Sequence, residues 1–299
     1  MQYLFIINPR SGPRKKRENL AKKIADHFKA TSHIYKIAYT TGPGDANRLA
    51  HNAATDHYDI VVAVGGDGTV NEVASGLMHT GTALGIVPMG SGNGVARSLN
   101  LPLKLNHCLN VLSHPALDHI DTGDVNGHYF VGISGTGLDA RIGYKFQHFG
   151  VRGPIPYFVI GAKEFLQYTP QELVLRSEDQ EIEISPLLLA IANTTQYGNG
   201  ALIAPMANPQ DGWFDICYLN NTSLPVSLFN LRRLFNGTIN KSEIYHHFKA
   251  KSLSLRSRVP ELYLHLDGEP HVMSGELKVR LHHRALKVAL AHKLKAEEV

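Results

Sequence analysis

Short apolar runs, each followed by a helix-period segment, recur through the first 120 residues. The pairs are 3–7 before 18–28, 33–40 before 45–54, 60–64 before 71–78, and 83–88 before 93–99. The run Ile60-Val61-Val62-Ala63-Val64 has no polar alternation, so both of its faces must be covered. Parallel strands with helices on both faces meet that condition, and the repetition predicts a doubly wound α/β domain over residues 1–120.

After Asp121 the pattern changes to strand-like pieces between Gly, Pro and Asn: 129–133, 181–192, 213–219, 252–255 and 262–266. This predicts a β-rich, sandwich-like second domain over 121–284, interrupted by helical segments at 155–168 and 224–236. Alternation in Leu286-Lys287-Val288-Ala289-Leu290 lets the segment 285–299 return to the first domain as an edge strand.

Composition narrows the function classes. The chain has 299 residues, 30 Lys and Arg against 26 Asp and Glu, and a formal charge of +4. That balance favours anionic partners, phosphates or acidic lipid, without the charge blocks, basic recognition helix or aromatic platform of a nucleic-acid binder. Uncharged apolar stretches fall well short of the ~20 residues that span a bilayer, so an integral membrane protein is not expected. The first residues read as a strand, because no basic region precedes their short apolar run. Cys108 and Cys217 lie outside any C-x-x-C, which supports neither a disulfide framework nor a Cys-based zinc site and makes the cytoplasm the expected compartment. The 17 histidines include no H-E-x-x-H, and the pairs His246-His247 and His282-His283 point adjacent side chains apart in a strand.

The strongest chemical signal is Gly65-Gly66-Asp67-Gly68-Thr69-Val70-Asn71-Glu72, between a buried strand and a helix. Its place is the carboxyl edge of the sheet, where α/β folds bind ligands. Glycines let the backbone approach closely, and a helix start adds partial positive charge, so the loop is an anion cradle. Asp67 would repel a polyphosphate unless a divalent cation lay between them, which makes it a candidate Mg²⁺ contact. The plainer alternative is a tight β-α turn with an Asp cap. A second glycine turn, Pro88-Met89-Gly90-Ser91-Gly92-Asn93-Gly94, follows the next strand; Ser91 can donate to a phosphate and Asn93 can cap the helix. Neither loop is a Walker A sequence, and no Rossmann fingerprint follows the first strand.

Together with Asn8-Pro9-Arg10-Ser11-Gly12, Ile120-Asp121-Thr122-Gly123, Ala204-Pro205, Asp211-Gly212 and Leu266-Asp267-Gly268-Glu269-Pro270, this ordered set resembles the diacylglycerol kinase catalytic-domain family of lipid kinases. The resemblance implies a two-domain fold shared with NAD kinases and an ATP- and Mg²⁺-dependent transfer to a lipid alcohol at a membrane surface. The protein would be peripheral to that membrane, and a homodimer is left open. ATP would lie between the domains. Gly65, Gly66, Asp67, Gly68, Thr69, Val70, Asn71 and Glu72 would surround its phosphates, with Gly90 and Ser91 beside them, Thr40 near the nucleotide, and Asn8 and Ser11 assisting. Asp267 and Glu269 would act across the cleft from Asp67, Glu269 as general base, while Asp67, Asp121 and Asp267 hold the catalytic Mg²⁺. A structural Mg²⁺ would take the Asp211 carboxylate and the backbone carbonyls of Asn208 and Trp213.

Both acidic motifs have plainer readings as well, since D-G is a hairpin signal and Asp-Gly readily makes an Asx turn. The basic cluster Arg14-Lys15-Lys16-Arg17 can attract ATP or an anionic leaflet, or simply be a solvated helix start. Phe146, Phe149, Ile155, Tyr157, Phe158, Phe165 and Leu166 can border an apolar route or be core. Many relatives carry Asn-Asp where this chain has Asn93-Gly94, so diacylglycerol is not favoured over a sphingoid base, monoacylglycerol or phosphatidylglycerol. The rival readings are an NAD kinase, which shares the Gly-Gly-Asp-Gly-Thr loop, and a non-catalytic nucleotide or lipid sensor.

Overall fold

The computed structural model describes residues 1–148, 164–165 and 167–292. They form two compact units: residues 1–120 with the C-terminal segment from Arg284, and Asp121–His283.

The first unit runs β1 (Gln2–Ile7), α1 (Arg14–Arg17), α2 (Leu20–Lys29), β2 (Ile34–Tyr39), α3 (Asp45–Thr55), β3 (Ile60–Gly65), α4 (Asp67–Leu77), β4 (Ala83–Pro88), α5 (Gly94–Ser98) and α6 (Leu105–Ser113). Its strands are parallel in the order β4-β3-β1-β2. Alternate strand residues serve opposite faces. Tyr3, Phe5, Ile7, Val62 and Val64 share a core with Leu20, Ile24 and Phe28 of α2 and Leu109 and Leu112 of α6, while α3 and α4 pack against β1, β3 and β4. Each large side chain so buried contributes about 1.5–3 kcal/mol. Phe28 sets its ring edge-on to Tyr3 and Phe5, at 5.0 and 4.9 Å between centroids. The Tyr3 hydroxyl donates to the Leu112 carbonyl at 2.6 Å, and burial pushes its pKa up to about 12.

The second unit continues with β5 (Ala116–Val125), which starts in the first, then β6 (His128–Phe130), β7 (Ile133–Gly137), α7 (Leu138–His148), β8 (Leu173–Arg176), β9 (Glu181–Ile184), β10 (Pro186–Ala192), β11 (Phe214–Asn220), α8 (Leu224–Phe235), a 3₁₀ turn (Ile239–Lys241), β12 (Tyr245–Ala250), β13 (Ser252–Leu266) and β14 (Glu269–Leu290). The antiparallel order is β12-β11-β10-β7-β13-β14, with β8 added on β13 and β9 on β8. One face buries Leu189, Ile191, Phe214, Ile216, Leu264 and Leu266; the other buries Ala190, Ala192, Cys217 and Leu219 with Ile203 and Leu234. The end of β14 lies in the first unit, where Val288 pairs in parallel with Leu84 of β4.

Several boundaries differ from the sequence pattern. The helix after the first glycine loop begins at Asp67 rather than Asn71, because the chain turns helical as soon as it leaves the sheet. The run 181–192 is two strands, broken where Pro186 lacks the N–H that a continuous ladder needs. The runs 252–255 and 262–266 are one strand with a register shift between Arg256 and Glu261. Residues 129–133 divide between β6 and β7. Most of the helical segment expected at 155–168 lies outside the described residues, as do Phe149, Ile155, Tyr157, Phe158 and Leu166. Phe165 packs, partly buried, against the core cluster that includes Ile133 and Leu138. No helix among the described residues is long and apolar enough to cross a membrane.

Candidate active site

Parallel strands deliver their following turns to one edge, and here the turns after β1, β3 and β4 interlock. The Asn8 amide donates to the Val64 carbonyl at 3.0 Å, and Met89 N–H donates to the Gly65 carbonyl at 2.7 Å. The Asn8 side chain donates to Thr69 Oγ1 at 3.1 Å. Gly66 and Gly90 meet backbone to backbone, so that a Cβ on Gly90 would stand 2.8 Å from the Gly66 Cα. Gly12, in the left-handed region at φ +78°, fits against the Met89 carbonyl, 2.6 Å from where its Cβ would be. Thr40 joins the same edge through its N–H to the Ile7 carbonyl at 3.0 Å, and Ser11 N–H bonds the Asn8 carbonyl at 3.2 Å. After Thr40, Thr41 donates through both its amide and its hydroxyl to Asp45. These bonds, with Arg48, hold the Asp45 carboxyl well below the usual range. A pocket of about 260 Å³ opens beside this edge, lined by Asn8, Arg14, Arg17 and Tyr39 among others.

The octapeptide does not act as a uniform wall. Gly66, Asp67, Gly68 and Asn71 are half-buried, whereas Gly65, Thr69 and Val70 are buried, with Thr69 committed to Asn8. Glu72 turns to the start of α3, where its Oε2 accepts the Ala46 N–H at 3.1 Å, so it satisfies an open helix-end donor rather than facing a phosphate. Asp67, first residue of the eleven-residue α4, places a carboxylate beside amide-rich turns. Oxygen chemistry of that kind fits Mg²⁺. Ser91 is exposed next to Gly90. Asn93 is the residue before α5, but its side chain makes no cap; its amide donates back to the Gly90 carbonyl at 2.8 Å and closes the second loop on itself.

In the second unit Asp267 and Gly268 form a two-residue hairpin loop, with φ of 50° and 86° and Leu266 paired to Glu269. Both positive angles match the type I′ turn that D-G favours. The Asp267 carboxylate accepts three main-chain N–H groups, from Val131 at 2.8 Å, Gly132 at 2.7 Å and Ile133 at 3.0 Å. Glu269, two residues on, opens β14 as an exposed side chain. Asp267 thus anchors the turn that presents Glu269. Asn193, which carries no motif signal, supports this anchor: its side-chain amide donates to the carbonyls of Asp121 and Val131, both at 2.7 Å.

Beside the hairpin, burial pushes the His271 imidazole below its ordinary 6.5, with His128 and His265 adding to the effect. A base whose pKa is lowered by folding makes the native state resist protonation. Stability should therefore be fully present above pH 6.5 and decline as pH falls through that value. The thermal midpoint should drop between pH 7.5 and 5.5, and His271→Gln should shrink that drop; an equal drop in the variant would contradict it.

The structure gives Asp121 a different place from the catalytic metal site expected of it. It is fully buried, with Oδ2 accepting the Gly212 N–H at 2.8 Å and Oδ1 facing His283 Nδ1 at 2.8 Å. Its carboxylate is part of the support of the 208–213 loop. That loop is a pair of Asx turns: Asn208 Oδ1 accepts Gln210 N–H at 3.2 Å, and Asp211 Oδ1 accepts Trp213 N–H at 3.0 Å. The Asn208 carbonyl takes the Asp211 N–H. A cation already meets Asp211, the Lys249 ammonium at 2.6 Å, whose pKa that bond raises. Lys251 lies over the Trp213 ring at 4.6 Å. Asn208, Asp211 and Trp213 in this arrangement do not fit a structural Mg²⁺. No cluster of three or more His, Cys, Asp and Glu side chains suited to a metal occurs among the described residues. The paired histidines do diverge, His282 to Asp124 and His283 to Asp121.

Residues 2–125 match the diacylglycerol kinase catalytic domain, and residues 132–290 match the YegS C-terminal NAD kinase beta sandwich-like domain. The chain belongs to the family with a YegS-type C-terminal domain, and carries a diacylglycerol kinase catalytic domain ahead of it. Among relatives, the diacylglycerol kinase of Bacillus subtilis (strain 168) is 29% identical over 276 residues, covering 89% of this chain and 88% of that one. The diacylglycerol kinase of Staphylococcus saprophyticus is 27% identical over 269 residues, with the same coverage. A solved diacylglycerol kinase from Bacillus anthracis str. Sterne has the same fold, with a TM-score of 0.72 at 21% identity over 97% of both chains. A second structure from that organism gives 0.75 at 22%.

Proposed function

We propose that this kinase moves the γ-phosphoryl group of Mg-ATP to the hydroxyl of a lipid alcohol, working in peripheral contact with a membrane. The observation that carries the nucleotide part is the backbone-to-backbone approach of Gly66 and Gly90 beside the start of α4. Main-chain amides and a helix N-terminus suit phosphate. In this reading Gly66, Gly68 and Gly90 let the backbone close on the phosphates, Ser91 donates to them, and Asn8 fixes the loop through Thr69. Thr40, held to the end of β1, lies where the nucleotide passes. Mg²⁺, when bound, neutralises charge on the phosphate oxygens, and Asp67 is the carboxylate suited to hold it. Glu269 takes the proton of the attacking lipid hydroxyl, while Asp267 sets the turn on which it stands. Phosphoryl transfer is chiefly positioning and charge stabilisation, so a rigid cradle and one base make a sufficient set.

The test is transfer of labelled γ-phosphate, with Mg²⁺, to mixed micelles of diacylglycerol, monoacylglycerol, phosphatidylglycerol, ceramide and sphingosine, with NAD as a soluble control. We expect label in at least one lipid. Label confined to NADP would replace this reading by an NAD kinase, and Mg-ATP binding without transfer to any acceptor would favour a sensor.

A further inference from the structure

Helix α8 turns large apolar side chains to solvent. An amphipathic helix ordinarily turns its apolar stripe inward. Among the described side chains of α8 the buried ones are Ser227, Asn230 and Leu234, at i, i+3 and i+7, two of them polar. Ser227 Oγ and Asn230 Oδ1 find no partner among the described residues. The outward arc carries Val226, Phe229, Leu231 and Phe235, and the two phenylalanines are 59% and 56% exposed. Arg232 is exposed on that arc, and the Arg233 guanidinium lies 5.0 Å from the centre of the Phe229 ring. The helix sequence, LPVSLFNLRRLF, contains no acidic residue.

We propose that α8 is a membrane-docking helix, its outward face entering the interface of an anionic bilayer with Phe229 and Phe235 as apolar anchors and Arg232 on the headgroups. Aromatic and aliphatic side chains with arginines, and no acid to repel anionic lipid, are the composition of an interfacial helix. Long arginine stems can lie along the apolar surface while their heads reach phosphate. A peptide partner or a second copy of the chain would equally cover apolar surface. The exposed Arg232, on a helix with no acidic residue, selects the anionic surface. The proposal rests on the reading of the chain as a lipid kinase, since an enzyme with a bilayer-borne acceptor must reach that bilayer.

The experiment is co-sedimentation of the full chain, without nucleotide, with vesicles of phosphatidylcholine alone or mixed with phosphatidylglycerol. The variants are Phe229→Ser with Phe235→Ser, and Arg232→Glu. All three positions are exposed, so the fold should survive, and a thermal melt checks this. Partitioning should fall about tenfold for each phenylalanine removed. Arg232→Glu should cost about fivefold or more on phosphatidylglycerol vesicles and little on phosphatidylcholine. Transfer to a dispersed short-chain form of the lipid that the acceptor panel identifies should be unchanged in every variant. Absence of wild-type partitioning would overturn the proposal, as would equal partitioning of the double variant. A change of the double variant from dimer to monomer in sedimentation velocity, with vesicle binding retained, would also overturn it, assigning the face to a second copy. Failure of the kinase reading is seen separately, as absence of transfer to any acceptor whatever the vesicle result.

Discussion

Glu269→Gln is expected to lower turnover by ~10²–10⁴-fold, the usual contribution of a positioned general base, while leaving ATP affinity near its starting value. The two side chains are nearly isosteric, and residue 269 is exposed at the head of β14. The substitution therefore removes a proton acceptor without opening a cavity. The three amide donors to Asp267 are left in place by the substitution, so the turn should persist. Single-turnover rates and KM for ATP, measured on the lipid that the acceptor panel identifies, separate the two effects. An unchanged rate would mean that another group, or none, takes the proton.

Gly90→Ala should cost about 10²-fold in kcat/KM, because a displacement of ~1 Å in a positioning element is enough for a loss of that size. The added methyl would meet the Gly66 Cα at 2.8 Å and Asn93 Oδ1 at 3.0 Å. The first is backbone and cannot rotate away, and the Met89 to Gly65 hydrogen bond at 2.7 Å keeps the two loops together. One loop must therefore shift, and with it the amides of the cradle. Gly81→Ala is the control, since its Cβ would meet nothing within 4 Å. Equal activity in the two variants would remove the close approach of the loops from the mechanism.

The convergence of the glycine turns was largely legible in the sequence for a reason that belongs to parallel sheets. Buried strands alternating with helices must all point one way, so the turns after 3–7, 60–64 and 83–88 had to arrive at one edge. Glycine at residues 66 and 90 then marked where backbones approach. Asp267-Gly268 was legible as a turn because only a few residue pairs accept two positive φ angles. The direction of individual side chains was not legible. Glu72 stands in the octapeptide yet serves the first turn of α3. Asn93 stands where a cap belongs yet bonds back to Gly90. In α8 the spacing of apolar residues identified a helix, but not that Phe229 and Phe235 would face outward.

What the sequence determined by itself is the succession of strand, glycine turn and helix, the change to β structure after residue 121, and the set of residue types available for phosphate and proton chemistry. Those properties are local, resting on periodicity and on the backbone preferences of glycine, proline and aspartate. Tertiary structure decided which carboxylate does what. Asp121 meets the amide of Gly212, 91 positions away, and Asp267 meets that of Val131, 136 positions away. A carboxylate takes its role from the donors brought against it, and those donors are fixed only when distant strands pair.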